Sequence, residues 1–146
     1  MTTPLTLVPP HAPVLWTPAA PVTDIAAQVE PVWRDMLDLL HERKGLGLAA
    51  PQVGIGLRFF LAYLGGQCEL CINPTVTAHG TKTIYAKEGC LSKPGYERWV
   101  LRPTTVTATW FDLAGQLHDM VLTRTDARVF QHEADHLDAR LIFARP

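Results

Sequence analysis

Apolar positions recur along this chain with two different periods, and the changes between them mark out its elements. From Asp24 to Arg43, residues Ile25, Val29, Val32, Trp33, Met36, Leu37 and Leu40 follow helical spacing, which predicts one apolar helix face. Asp24 is placed to cap the first turn. Pro31 falls inside the pattern without an amide hydrogen, so the helix either kinks there or begins there, and Gly45 is expected to end it. The next stretch, Gly45 to Gly54, is punctuated by glycine and Pro51 and reads as a loop.

Beyond it the period falls to two. Leu57 to Leu64 and Glu69 to Ile72 predict a hairpin around Gly65-Gly66, the second strand ending before Asn73-Pro74. Thr75 to Ala78, Thr83 to Lys87, Arg98 to Leu101, Thr104 to Asp112 and Gln116 to Leu122 are further strands, the last two joined by a turn at Leu113-Ala114-Gly115. Thr105, Thr107 and Thr109 alternate with Val106, Ala108 and Trp110, as a half-buried antiparallel sheet requires. A closing helix is expected from about Thr125 to Asp138, with Thr123 and Asp126 resembling a capping box. Residues 1–22, with six prolines, read as an irregular lead-in. With no repeat and no linker, residues 1–146 are expected to form one α+β domain.

Composition narrows the function classes. A length of 146 residues suffices for one hydrophobic core, and 47% apolar against 18% charged residues excludes a disordered chain. The net charge of −1 offers no footprint for nucleic acid or an anionic membrane. No apolar run approaches the roughly 20 residues that span a bilayer, and the proline-broken N-terminus lacks a signal-peptide pattern, so a soluble cytoplasmic protein is expected. Three cysteines do not suggest a disulfide framework. Cys68 and Cys71 form a lone C-x-x-C, read as packing residues.

The chemistry concentrates in His132-Glu133-Ala134-Asp135-His136. Four residues turn a helix through about 400°, so both imidazoles emerge on one face and can share an ion, with Glu133 in reach of a water beside it. The bland alternative is two surface histidines, against which the flanking Val129, Phe130 and Leu137 argue. A catalytic site needs a third protein ligand. The ten residues after His136 contain neither His nor Glu, so that ligand must come from upstream. Cys90, in Glu88-Gly89-Cys90-Leu91-Ser92 with Pro94-Gly95 turning the chain, is the best candidate. Thiolate with two imidazoles suits zinc or ferrous iron. His11, His41, His79, His118, Cys68 and Cys71 lack such a setting. The segment Gly45-x-Gly47-x-x-Ala50 loosely fits a dinucleotide fingerprint, but it follows a helix, and Pro51 disfavours helical geometry at Ala50. Exposed backbone at Gly45 to Gly47, with Gly89 opposite, suits pairing a peptide as an added strand.

Three segments together, Gly45 to Gln52, Glu88 to Ser92 and Gln131 to His136, resemble the peptide deformylase motifs G-x-G-x-A-A-x-Q, E-G-C-L-S and Q-H-E-x-D-H, in the same order. The resemblance runs from about residue 20 to 143. It implies antiparallel sheets packed around a central C-terminal helix bearing H-E-x-x-H. The implied reaction is hydrolysis of the N-formyl group from the formyl-methionine of nascent peptides, releasing formate. Cys90, His132 and His136 are then the metal ligands. The implied cofactor is one divalent ion per chain, natively ferrous iron, with zinc, nickel or cobalt as substitutes. Glu133 is the general base, later returning its proton to the departing amine. The Gln52 amide and the Leu91 N–H donate to the oxyanion. Asp135 gives outer support. The methionine pocket is expected at Thr125, Arg128 and Val129 with Leu46 opposite, Arg128 lining it by its stem with its charge turned outward. Glu88 and Arg102 are expected to pair.

The chain departs from the pattern at Lys93, where an aliphatic residue is usual, so a more polar substrate rim is expected. It also stops at Pro146, short of a C-terminal helix implicated in ribosome docking, so tethering by that route is not expected. Such short forms are known from bacteriophages, which admits a phage origin. The expected partners are formylmethionyl peptides, without nucleic acid or membrane, and a monomer is expected. A metalloprotease of other specificity and a metal-binding homologue without turnover are the competing readings.

Overall fold

The alternation read from the sequence sorts side chains onto two faces of one sheet, and a helix packs on each face. The computed structural model describes residues 4–146. Strand β1 (Gly47–Ala49) is followed by β2 (Phe59–Leu64), β3 (Gln67–His79), β4 (Thr83–Gly89), β5 (Glu97–Pro103), β6 (Thr105–Phe111) and β7 (Leu117–Thr123). Five form an antiparallel sheet in the order β1-β2-β3-β6-β7, while β4 and β5 pair separately as a hairpin. The helices are α1 (Ile25–Gln28), α2 (Trp33–Arg43) and α3 (Arg124–Leu137).

On β2, Phe60, Ala62 and Leu64 point toward Ala127, Phe130 and Leu137 of α3. Phe59 and Leu61 point the other way, toward Met36, Leu39 and Leu40 of α2. Phe60 and Phe130 meet edge to face with centroids 5.0 Å apart, and Trp110 joins Phe130 at 5.6 Å. Fully burying one such ring contributes about 1.5–3 kcal/mol, so this cluster fixes the seat of α3. Cys71 joins the α3 side and Cys68 the α2 side, because residues three apart on a strand face opposite ways. The C-x-x-C thiols therefore cannot turn toward one partner.

Of the two alternatives at Pro31 the helix takes the fresh start, and four other expectations change. The segment from Asp24 is two helices: Asp24 caps α1 by accepting from the Ala27 N–H at 3.1 Å, and α2 starts anew after Pro31. Lys44, not Gly45, adopts the left-handed stop, at φ 55°. At Gly45 a Cβ would meet only the side-chain ends of Leu91, at 2.9 Å, and Leu40, at 3.0 Å, which can turn aside. The loop after it contains strand β1, whose residues pair with β2. Asn73-Pro74 does not end a strand: β3 runs through it with a shift of register between Ile72 and Thr75. Asn73 there takes φ 48°, and its amide pairs with both backbone groups of Val22, which holds the bulge. Finally, Thr123 makes no side-chain cap to α3, and Asp126 instead accepts from the Gly65 N–H at 2.9 Å.

Candidate active site

Helix α3 carries His132, Glu133 and His136 beneath the ends of β1 and β4, with the two imidazole centroids 5.2 Å apart. Cys90 follows directly on β4, and its Sγ lies 3.3 Å from His136 Nε2. One donor atom from each of Cys90, His132 and His136 lies within 4.8 Å of the others. The structure thus brings together the three proposed ligands, with Glu133 beside them.

The donor set fits a divalent cation. His132 Nδ1 faces Glu88 Oε1 at 2.8 Å, which leaves its Nε2 for an ion. Burial, helped by the charges of His132 and Arg102, holds His136 down at about 3, so its ring stays neutral with a lone pair to give. Burial also pulls His132 down, but hydrogen bonds to Cys90 and Glu88 and the charge of Glu133 outweigh it and lift it to about 10. That proton must leave before the ring can take an ion, so metal binding at this cluster competes with protonation. Glu133 Oε1 and His136 Nδ1 are buried without a protein partner, an expensive state unless something polar fills the space beside them.

Glu133 is 4% exposed, and burial raises its carboxyl to about 7. It lies against the Cα of Gly47, where an added Cβ would come 2.8 Å from Glu133 Cγ and Cδ. Gln52 is equally enclosed. Its Oε1 accepts from the Ala49 N–H at 2.9 Å, and its Nε2 donates to Ser92 Oγ at 3.0 Å and toward Cys90 Sγ at 3.6 Å. The amide is thereby aimed at the ligand cluster, and Leu91 follows Cys90 in the same turn.

Glu88 ties the hairpin to the helix. Arg102 meets it with Nε at 2.6 Å and Nη2 at 2.9 Å, and Arg128 Nη1 at 2.5 Å. Arg102 also reaches Asp135 Oδ2 at 2.7 Å. Burial opposes ionisation of Glu88, but its bonds to His132 and Arg102 prevail and hold it at about 2. That value lies below the ordinary 4.5, so in the metal-free protein the carboxylate stabilises the fold fully above pH 4.5 and loses that contribution as pH falls toward 2. Glu88→Gln should therefore show a flatter acid-unfolding curve over that range, checked by circular dichroism. Glu88→Ala, which leaves Arg102 with Asp135 alone and Arg128 with two backbone carbonyls, should cost about 3 kcal/mol in denaturant melts.

Arg128 corrects its expected orientation. Its charge turns inward, toward Glu88, Val100 O at 3.1 Å and Ile84 O at 2.8 Å. The carbonyls of β4 and β5 and the carboxylate of Glu88 outcompete solvent for it. Lys93 stands behind the cleft wall: its Nζ sits 4.7 Å from the ring centroid of Tyr96, which lines the cleft, and 5.4 Å from that of Phe143.

A cleft of about 820 Å³ opens onto the cluster, lined by Gly45, Leu46 and Gly47 on one wall and Gly89 on the other, with Thr125, Arg128 and Val129 on its floor. Tyr63 N–H donates to Leu46 O at 2.9 Å, so by the alternation of an antiparallel ladder the N–H and C=O of Gly47 point outward into the cleft, whereas the Gly45 N–H is already taken by Leu40 O at 3.2 Å. The same count on the hairpin, from the Thr104 N–H to Lys82 O bond, turns the backbone of Gly89 to the free edge of β4. Gly89 itself is not sterically required, since a Cβ would meet only Tyr96 O at 3.7 Å. Ser92, Arg43, Lys44 and Tyr96 escaped the sequence reading. Only Ser92 lay in a quoted motif, and nothing in periodicity marks the others.

Comparison with known proteins places these features. The family model described as Polypeptide deformylase matches residues 4–145. The chain is 40% identical over 142 residues to a peptide deformylase of Rhodopirellula baltica, covering 93% of this chain and 69% of that one. Among solved structures, peptide deformylase from Thermotoga maritima superposes with TM-score 0.92 at 34% identity, over 97% of this chain and 96% of that chain. A probable peptide deformylase from Synechococcus phage S-SSM7 gives 0.88 at 30%, over 94% and 96%.

Proposed function

The chain belongs to the polypeptide deformylase family, and from that premise and the geometry above we propose how its residues remove the N-formyl group from the formyl-methionine of nascent peptides and release formate. Enzymes of this family are metalloenzymes. Cys90, His132 and His136 would hold the ion, ferrous natively, with zinc, nickel or cobalt able to replace it. When bound, such an ion supplies Lewis acidity toward the formyl oxygen and makes water a stronger acid.

The peptide lies as an added strand between the outward backbone groups of Gly47, with the Gly45 carbonyl beside them, and those of Gly89. Its methionine side chain enters over Val129 and the stem of Arg128, with Leu46 closing the other side. Glu133, buried beside the ligand cluster, takes the proton of the attacking water and returns it to the departing amine. The Gln52 amide, already fixed by Ala49 and Ser92, and the Leu91 N–H donate to the developing oxyanion. The observation that carries this reading is the convergence of three ligand atoms within 4.8 Å next to a buried carboxylate oxygen without a partner.

Formate release from a formyl-Met peptide, with ferrous iron under reducing conditions, tests it. Protein that binds metal yet releases no formate, or that cuts internal peptide bonds instead, contradicts it. Cys90→Ser exchanges a soft thiolate for a neutral hydroxyl, so metal content after purification should fall or shift in preference; unchanged content points to another third ligand. Activity should rise with pH along a limb at or below about 7, because Glu133 works as a base only once ionised and a neighbouring cation favours that form. A pH profile of kcat/KM without that limb assigns the base elsewhere.

No helix among the described residues is long and apolar enough to cross a membrane. We read the protein as a cytoplasmic monomer whose residues 1–146 act as one catalytic domain on formylated peptides, without nucleic acid or membrane as partner.

A further inference from the structure

The substrate cleft does not end at Leu46. This side chain, 56% exposed, forms a ridge shared with a second groove of about 470 Å³. Lys44, Gly45 and Leu46 line both. The floor of the second groove is Leu40, His41 and Tyr63, whose two rings lie 6.2 Å apart. A peptide strand that paired with Gly47 and the Gly45 carbonyl and continued past Leu46 would meet this groove.

Charge around that path is uneven. Arg43 and Lys44 line the cleft on the α2 side and Lys87 on the β4 side, against the single carboxylate of Glu97. Of the other charged groups lining the cleft, Arg128 and His132 are engaged by Glu88, and Glu133 is buried. Among the described residues, Arg43, Lys44 and Lys87 have no carboxylate within ion-pair distance. Arg43 and Lys44 also suit the negative end of the α2 dipole, but that role needs neither to face the cleft.

Resting on the deformylase reading and extending it, we propose that the groove beyond Leu46 binds the substrate downstream of its formyl-methionine, and that Lys44 and Arg43, where the cleft passes into that groove, select acidic residues there. An extended peptide rises about 3.3 Å per residue, so residues three to five of the substrate are the ones that reach the rim. Their carboxylates meet Lys44 and Arg43, while their stems lie on Leu46 and Tyr63. Lysine at those positions meets repulsion instead.

Initial-rate kinetics on the metal-loaded enzyme test this, with a formyl-Met dipeptide compared with pentapeptides carrying two glutamates or two lysines at positions three to five. The acidic pentapeptide should show a KM about three- to tenfold below the basic one, with kcat nearly equal, as one or two exposed ion pairs provide. The difference should shrink in 1 M salt, where screening acts over about 3 Å. The double variant Arg43→Glu with Lys44→Glu should reverse the preference. Equal KM values for the two pentapeptides, or a preference that survives the reversal, overturn this proposal while leaving the deformylase reading intact. Absence of formate from every peptide, the dipeptide included, removes both.

Discussion

Glu133→Ala is expected to retain its metal and lose about 10²–10⁴-fold in kcat/KM, the usual contribution of a positioned general base. The carboxylate is enclosed by protein and its Oε1 has no other partner, so no neighbouring group stands ready to take the proton. Asp135, the nearest acidic side chain in sequence, is committed to Arg102 at 2.7 Å. Removing a buried carboxylate that makes no hydrogen bond through Oε1 should not unfold the protein, so a melting curve near that of wild type is part of the expected result. Metal analysis together with formate release checks it; activity near wild type would show that another group is the base.

Gly47→Ala is the second large effect, and it acts through the first. The new methyl carbon would lie 2.8 Å from Glu133 Cγ and Cδ, closer than unbonded carbons approach. Either β1 moves outward from α3 or the Glu133 side chain swings aside. Both displace the base by a fraction of an ångström to an ångström, and misplacement on that scale costs about 10²-fold. The β1 backbone that pairs with the peptide moves as well, so KM should rise along with the fall in kcat. Metal content should be unchanged, because the three atoms nearest the new methyl group all belong to Glu133. Full activity in this variant would show that the cleft wall yields without cost.

Much of the site was legible because its chemistry is local. Two histidines one helical turn apart on a helix with an apolar flank declare a shared face, whatever the rest of the chain does. Cys90 was found by elimination and by its setting between Gly89 and Pro94-Gly95. The hairpin at Gly65-Gly66 and the β6–β7 turn also announced themselves through their turn residues. Asn73-Pro74 misled, because a proline in a strand ordinarily ends it, and the bonds that keep β3 going come from Val22, far back in the chain. The capping box failed similarly, when Asp126 found a better use at Gly65.

What the sequence determined by itself was the α+β class, the approximate elements, and two histidines with Glu133 beside them on one turn of a helix, since these follow from short-range spacing. Only the tertiary structure decided that Arg128 turns inward, that Glu88 gathers His132, Arg102 and Arg128, and that Gly47 must be glycine because Glu133 lies on it. Each of those contacts joins residues far apart in the chain. Side-chain types alone do not say which distant partner a charge or a glycine will meet, because that is settled by how α3 seats between the sheet and the β4–β5 hairpin.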